Sequence, residues 1–217
     1  MLSCNGALFA AVPAPTLILS SQPVTMAKKF GDILTPQGYL EEVMQQPNLD
    51  VVMNLFKIPR AFAVSGFGDW NVGQHCFCVA YLALYWCKHR GYDTARRDRL
   101  MVMGLTHDLH ESATGDILPG LKTPDLQQHL EEVQGSFLKG LGVEPDGELA
   151  ADLKVLDMVA FLFEIRQCAT ADQAQQARLS EFFLKQKKLL MDYSAEQRID
   201  GVEAFLVELG LDDPAGG

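Results

Sequence analysis

The sequence predicts an all-α fold, on three observations. Apolar residues recur at helical spacing through most of the chain after residue 35; helix start and stop residues bracket the periodic runs; and no stretch alternates apolar and polar residues between hairpin turns. Neither an internal repeat nor an interior linker divides the chain. The expected architecture is a single compact helical bundle over residues 31–210. Residues 1–30 are expected to form a disordered extension, and residues 211–217, "LDDPAGG", a flexible tail.

The elements follow in order. "TPQGYLEEVMQQP" opens with Thr35 as N-cap and Pro36 at the first helical position. "PNLDVVMNLFKIP" sets Leu49, Val52, Met53 and Phe56 at helical spacing and stops before Pro59. "AFAVSGFGDW" reads as a loop by its Gly and Ser content. "NVGQHCFCVAYLALYWCKHRG" is the strongest helix, with His75, Val79, Leu82 and Trp86 on one face and a stop at Arg90-Gly91. "TARRDRLMVMGLTHDLHE" is capped by Thr94 and runs Leu100, Met103, His107 and Glu111 along one stripe. "DLQQHLEEVQGSFLKGLG" is amphipathic and ends at Gly142. "GELAADLKVLDMVAFLFEIRQCA" carries a wide apolar face of Leu149, Leu153, Leu156, Val159, Ala160 and Phe163. "ADQAQQARLSEFFLKQKKLLMDY" and "AEQRIDGVEAFLVELG" close the domain.

The 217 residues suffice for one sizeable core, and a hydrophobic content of 48% favours folding over disorder. A net charge of −10 argues against a nucleic-acid polymer as partner. It does not forbid a small anion, because local cations or a metal can reverse the field inside a cleft. Cys4, Cys76, Cys78, Cys87 and Cys168 are odd in number, and Cys76 and Cys78 point apart on a helix, so thiols in a reducing cytoplasm are expected. The apolar run "ALFAAVPAPTLIL" is broken by Pro13 and Pro15 and lacks a preceding positive charge, which fits neither a secretory signal nor a membrane span. No membrane partner is expected.

Chemistry concentrates in "GLTHDLHESATGDILPGLK", where His107, Asp108, His110, Glu111 and Asp116 fall within ten residues. Successive helical residues turn by roughly 100°, so His107 and Asp108 converge on one ion only if the helix ends or opens there. The run Ser112–Gly115 is the expected place. Asp157, in the apolar "VLDMVAF", needs a partner if buried: a metal, an Arg or a helix terminus. His75, alone on an apolar face, would by itself read as a satisfied core residue. Taken together, His75, His107, Asp108 and Asp157 offer imidazole and carboxylate ligands suited to a divalent ion such as Mn, Fe, Co, Ni or Zn, with coordination positions left open as in a catalytic site.

The order H…HD…D resembles the HD superfamily of metal-dependent phosphohydrolases. "WNVGQHCFCVAYLALY" is similar to the N-V-[SA]-E-H-S-x-x-V-A segment of its 5′-deoxynucleotidase branch, and "THDLHESATGDILPGLK" to that branch's HD-x-x-E-x-x-x-G-D-[IL]-P-x-P-x-K. The spacings, 32 residues from His75 to His107 and 49 from Asp108 to Asp157, resemble it as well. The resemblance covers roughly residues 40–205 and implies an HD-domain helical bundle.

It also implies His75, His107, Asp108 and Asp157 as ligands of a divalent cation (Mn, Co, Zn, Fe or Mg) and Glu111 as catalytic acid/base. Arg60, Asp116, Lys122 and Trp70 are implied as substrate-binding residues: Arg60 at the phosphate, Asp116 at the sugar hydroxyl, Lys122 as a further cation. For Arg60 and Lys122 the alternative is a solvated surface charge. His110 reads as an outer or surface residue, and His89 and His129 as surface.

The sequence departs from the branch at Ala61, where Trp is usual, with Phe62 next; at Trp70, where a polar residue is usual; at Gln74 in place of Glu; and at the shifted second Pro of "ILPGLK". These positions bear on the sugar and base pocket rather than the ion. The implied activity is hydrolysis of a small-molecule deoxynucleotide, by a cytoplasmic 5′-deoxynucleotidase that releases phosphate or, alternatively, by a dATP-preferring dNTP triphosphohydrolase that releases triphosphate. The cyclic-dinucleotide branch carries a further GYP-type motif that does not appear here. A helical interaction module with a vestigial site would have lost ligands. A homodimer or higher homo-oligomer is implied, with the apolar residues of "SEFFLKQKKLLM" available to it.

Overall fold

The computed structural model describes residues 49–61, 68–168, 170 and 172–214. By its contacts Thr35–Gly217 is one unit, separate from Met1–Leu34. The helix expected over residues 35–47, the extension with Cys4, and Phe62 all lie outside the described residues. Among the described residues every regular element is helical, and an isolated bridge between Pro59 and Asn71 is the only strand-like pairing.

Helix α1 (Leu49–Met53) runs into a 3-10 turn at Asn54–Lys57. Helix α2 (Val72–Arg90) starts at a capping box: the Asn71 side chain accepts from Gln74 N–H, and the Gln74 side chain accepts from Asn71 N–H. Gln74 is therefore occupied as a cap partner. The helix buries His75, Val79, Leu82 and Trp86, the face expected from the sequence, and stops at Gly91, whose φ of 65° suits glycine.

Helix α3 (Thr94–Thr106) corrects one expectation. Its cap is Asp93, whose carboxylate accepts from Arg96 N–H, rather than Thr94. Both residue types cap well, and the extended backbone that a cap requires falls one residue earlier. The expected continuous stripe to Glu111 is also interrupted. The chain leaves the helix through turns at His107–His110 and re-enters a short helix α4 (Glu111–Thr114). The opening thus falls before Ser112, not after it.

Helix α5 (Pro124–Leu141) begins at Thr123, which caps Leu126 N–H, and ends at Gly142 with φ 66°. Helix α6 (Ala150–Gln167) follows a 3-10 turn at Gly147–Leu149. Leu149, Leu156, Val159 and Ala160 are buried as expected, whereas Leu153 and Phe163 are partly exposed. Helix α7 (Gln173–Glu196) runs past Tyr193 into the segment expected to open the last helix, and α8 (Val202–Glu208) starts only after Gly201. Within "SEFFLKQKKLLM", Phe183 and Leu190 are buried while Leu184 and Leu189 are exposed. Leu211, expected to open a flexible tail, instead packs into the core and donates its N–H to Leu206 O.

Two apolar cores result. The larger centres on Trp86, Leu100, Leu156 and Phe205; truncating a side chain such as Trp86 to alanine costs about 3–5 kcal/mol. The smaller holds Leu55, Val72, Cys76, Leu109, Val133 and Phe137. His75 sits on α2 between contributors to each, with Val72 and Cys76 on one side and Val79 on the other. Among the described residues no helix is long and apolar enough to cross a membrane.

Candidate metal centre and its cavity

Helices α2 and α3 cross at Gly104, where an added Cβ would stand 2.8 Å from the Ala80 backbone. That close approach brings the end of α3 against the middle of α2. His107 Nδ1–H donates to Gly104 O at 2.9 Å, which turns Nε2 toward His75. His75 Nδ1–H donates to Glu164 Oε1 at 2.6 Å, which turns its own Nε2 toward His107. The two Nε2 atoms lie 3.2 Å apart.

Two carboxylate oxygens join them. Asp108 Oδ2 is 3.2 Å from His107 Nε2 and 3.9 Å from His75 Nε2, and Asp157 Oδ1 is 3.1 Å from His75 Nε2. With both Nδ1–H groups used outward, neutral imidazoles present only lone pairs to this space. Four acceptors facing one another repel unless a proton or a cation lies among them. His75, His107 and Asp108 offer donor atoms all within 4.8 Å of one another and could hold a metal ion, whereas Asp157, beside His75, lies outside that group. Two imidazole ligands at about 2.0–2.1 Å from an ion stand roughly 3 Å apart at a right angle, close to the spacing found here. The donor set therefore fits a borderline divalent cation.

The surrounding charges are tightly matched. Arg60 Nη1 is 3.6 Å from Asp108 and Nη2 is 3.5 Å from Asp157, while Nε–H donates to Glu164 at 3.1 Å. Burial opposes the Arg60 charge, but Glu164, Asp108, Asp157 and Glu111 together raise its pKa above the ordinary value. Burial likewise opposes the charge of Asp108, yet His107, His75 and Arg60 hold it well below the usual carboxylate range. Asp157 is also depressed, against burial, by His75 and by Lys154, whose Nζ lies 2.7 Å from Oδ2. Burial works against a charged His107, and Asp108 beside it overcomes this and raises the pKa. Glu111 goes the other way: burial, with Asp108 and Asp116 nearby, pushes it up to about 9. Its Oε2 is buried without a hydrogen-bond partner.

Arg60 is aimed by its neighbours. Its N–H donates to Trp70 O at 2.9 Å, and Val72 N–H donates to Ile58 O at 3.1 Å, pinning this segment to the start of α2. Ala61 takes a left-handed φ of 48°, and its N–H donates to Asp116 Oδ2 at 2.8 Å. A non-glycine residue there is strained by about 1 kcal/mol or more, and the charge-assisted bond from Asp116 holds it.

A cavity of about 290 Å³ opens beside the cluster, with His107, Asp108, Asp157, Lys122, Lys154 and His110 among its lining. The residues singled out in the sequence therefore divide. His75, His107, Asp108, Asp157 and Arg60 come together, and Lys122 lines the cavity. His75, Arg60, Glu111, Trp70 and Asp116 are not among its lining residues. The Trp70 side chain packs edge-on to Phe163 with ring centroids 6.1 Å apart, because its apolar area is better buried there. Asp116 is engaged with Ala61 N–H.

Two histidine readings also need correction. His110 is buried, with its ring Nδ1 and its backbone N–H both on Gln134 Oε1. His89 is half-buried, stacked on Trp86 and bonded to Glu208 and Gly201 O. His129 is exposed as expected.

Glu164 and Lys154 were not anticipated. The available signal was register on α6: Lys154 precedes Asp157 by three residues and Glu164 follows it by seven, so all three share a face. Cys76, Cys78 and Cys87 are free thiols, and the Cys168 thiol donates to Glu164 O at 3.1 Å.

Residues 57–142 match the family model described as the HD domain. That stretch holds Arg60, His75, His107, Asp108, Glu111, Asp116 and Lys122 and stops short of Asp157. No curated protein and no solved structure matches the chain.

Proposed function

We propose that the protein is a metal-dependent phosphohydrolase of deoxynucleotides, acting as a 5′-deoxynucleotidase that splits a deoxynucleoside monophosphate into nucleoside and phosphate. The observation that carries this reading is the pair of imidazole nitrogens turned face to face between two carboxylates, with a buried arginine beside them. The HD-domain match is in keeping with it, since HD domains are generally metal-dependent hydrolases.

His75, His107, Asp108 and Asp157 hold the cation. When bound, it supplies Lewis-acid polarisation of the phosphoryl group and a lowered pKa for water. Arg60 stands 3.5–3.6 Å from two of the ligand carboxylates, where its guanidinium neutralises equatorial phosphoryl oxygens. Positioning and charge neutralisation do most of the work in such displacements. Lys122 and Lys154, on the cavity wall, add positive charge at its mouth. Glu111, pushed up to about 9, holds a proton at neutral pH. As the water oxygen joins phosphorus and the ester bond breaks, Glu111 gives this proton to the departing 5′ oxygen and recovers one from the attacking water, which returns it to its starting state.

A second reading, a dATP-preferring triphosphohydrolase, draws on those same two lysines, which could receive the charge of a longer phosphate tail. Incubation with dAMP and dATP in Mn²⁺ or Co²⁺ separates the two: phosphate from dAMP supports the nucleotidase, and triphosphate from dATP supports the alternative. Replacing Glu111→Gln is expected to lower turnover by about 10²–10⁴-fold with bound metal unchanged. Turnover equal to wild type would remove Glu111 from the chemistry.

A further inference from the structure

Glu164 lies in the apolar run "FLFEI" of α6 and is completely buried. An isolated carboxylate there would cost several kcal/mol, so its pairing has to be close to complete. It is: Oε1 accepts His75 Nδ1–H at 2.6 Å, and Oε2 accepts Arg60 Nε–H at 3.1 Å. Neither oxygen is spare, and the two partners are the fully buried His75 and the arginine that faces both Asp108 and Asp157.

We infer that Glu164 is a positioning residue that yokes the metal ligand His75 to the phosphate-binding Arg60. It rests on the metal-centre reading above. Oε1 fixes the His75 tautomer and ring angle so that Nε2 meets the ion, and a ligand that need not be reoriented binds more tightly. Oε2 fixes the Arg60 stem, so the guanidinium keeps its place over Asp108 and Asp157. One side chain thereby sets the distance between the ion and the cation that receives the substrate. Glutamine keeps the size and one acceptor but presents an NH₂ group to one partner. It cannot satisfy both N–H groups.

The test compares wild-type and Glu164→Gln protein. Mn²⁺ affinity, measured by titration, is expected to fall by about 10–100-fold in the variant. At saturating Mn²⁺ the KM for dAMP rises more than kcat falls, because Arg60 has lost its anchor. A purely structural role would lower the unfolding midpoint and leave the Mn²⁺ affinity of the folded fraction unchanged; that result overturns the yoke while the metal centre stands. Wild-type protein that binds no Mn²⁺ overturns the metal centre and the yoke together. Imidazole ¹⁵N NMR of wild-type protein with Zn²⁺ keeps the question answerable even if the variant fails to fold. His75 is expected as the Nδ1–H tautomer, and a deprotonated Nδ1 refutes the role.

Discussion

Asp152 and Asp157 stand five residues apart on the same helix, and their surroundings differ. Asp152 is buried; Trp86 Nε1–H donates to its Oδ1 at 2.8 Å and Tyr92 O–H to its Oδ2 at 3.0 Å. Its partners are neutral and tie α6 to α2 and the loop after it. Asp157 meets Arg60, Lys154 and His75, and it borders the cavity. A carboxylate in an apolar helix is thus no signature of a site in itself. What separates the two is the company: neutral donors that satisfy an anion completely, against cations and lone pairs that leave a place for a ligand.

Several experiments would break or sharpen that contrast. The largest effect is expected from Asp157→Asn, which should weaken Mn²⁺ binding and turnover by at least about 100-fold, beyond the usual loss for an outer partner. Asp152→Ala should do neither. It should instead lower unfolding free energy by about 2 kcal/mol, the cost of a stranded Trp86 N–H, in a denaturant titration. Equal loss of metal affinity in both variants would erase the distinction.

A smaller effect concerns pH in chelated, metal-free protein. Glu111 is held near 9 against an ordinary 4.5, and His107 is raised above 6.5. In both cases the unfolded chain releases its proton first, so each contribution is full at low pH and is lost as pH rises toward the folded value. Stability should decline by up to roughly 1.4 kcal/mol per unit for each group, from about pH 4.5 to 9 for Glu111 and from about pH 6.5 upward for His107. Glu111→Gln should remove one share, read as a shallower dependence of Tm on pH. Asp108 and Asp157 work oppositely: they are depressed, so their stabilisation is lost in acid below about pH 4. The smallest effect is expected for Lys122→Ala, a rise in KM equivalent to about 1 kcal/mol or less, since a half-buried cation on an open wall is still screened by water.

Most of the fold was legible in residues that cap and periodically bury. Gly91 and Gly142 mark ends that the structure reproduces. The break at His107–His110 was placed too late because nothing in "HDLH" opposes helix locally; the convergence on His75 imposes it. The cluster of His75, His107 and Asp108, with Asp157 beside His75, was legible through residue types and their order. Glu164 was not, because an acid beside Ile and Phe announces no partner until Arg60 and His75 are folded against it. Trp70 was assigned to the site for a related reason. A large aromatic near a site looks like a ligand platform, and only the tertiary fold shows Phe163 claiming its ring.

The crossing at Gly104 has one more effect. Because backbone meets backbone there, the gap between the two imidazoles is a gauge cut by the main chain rather than by adjustable side chains. Ion size should then be discriminated by helix spacing. A methyl group at 104 would wedge the helices apart and tilt selection toward larger cations, which a Mn²⁺ against Zn²⁺ competition would register.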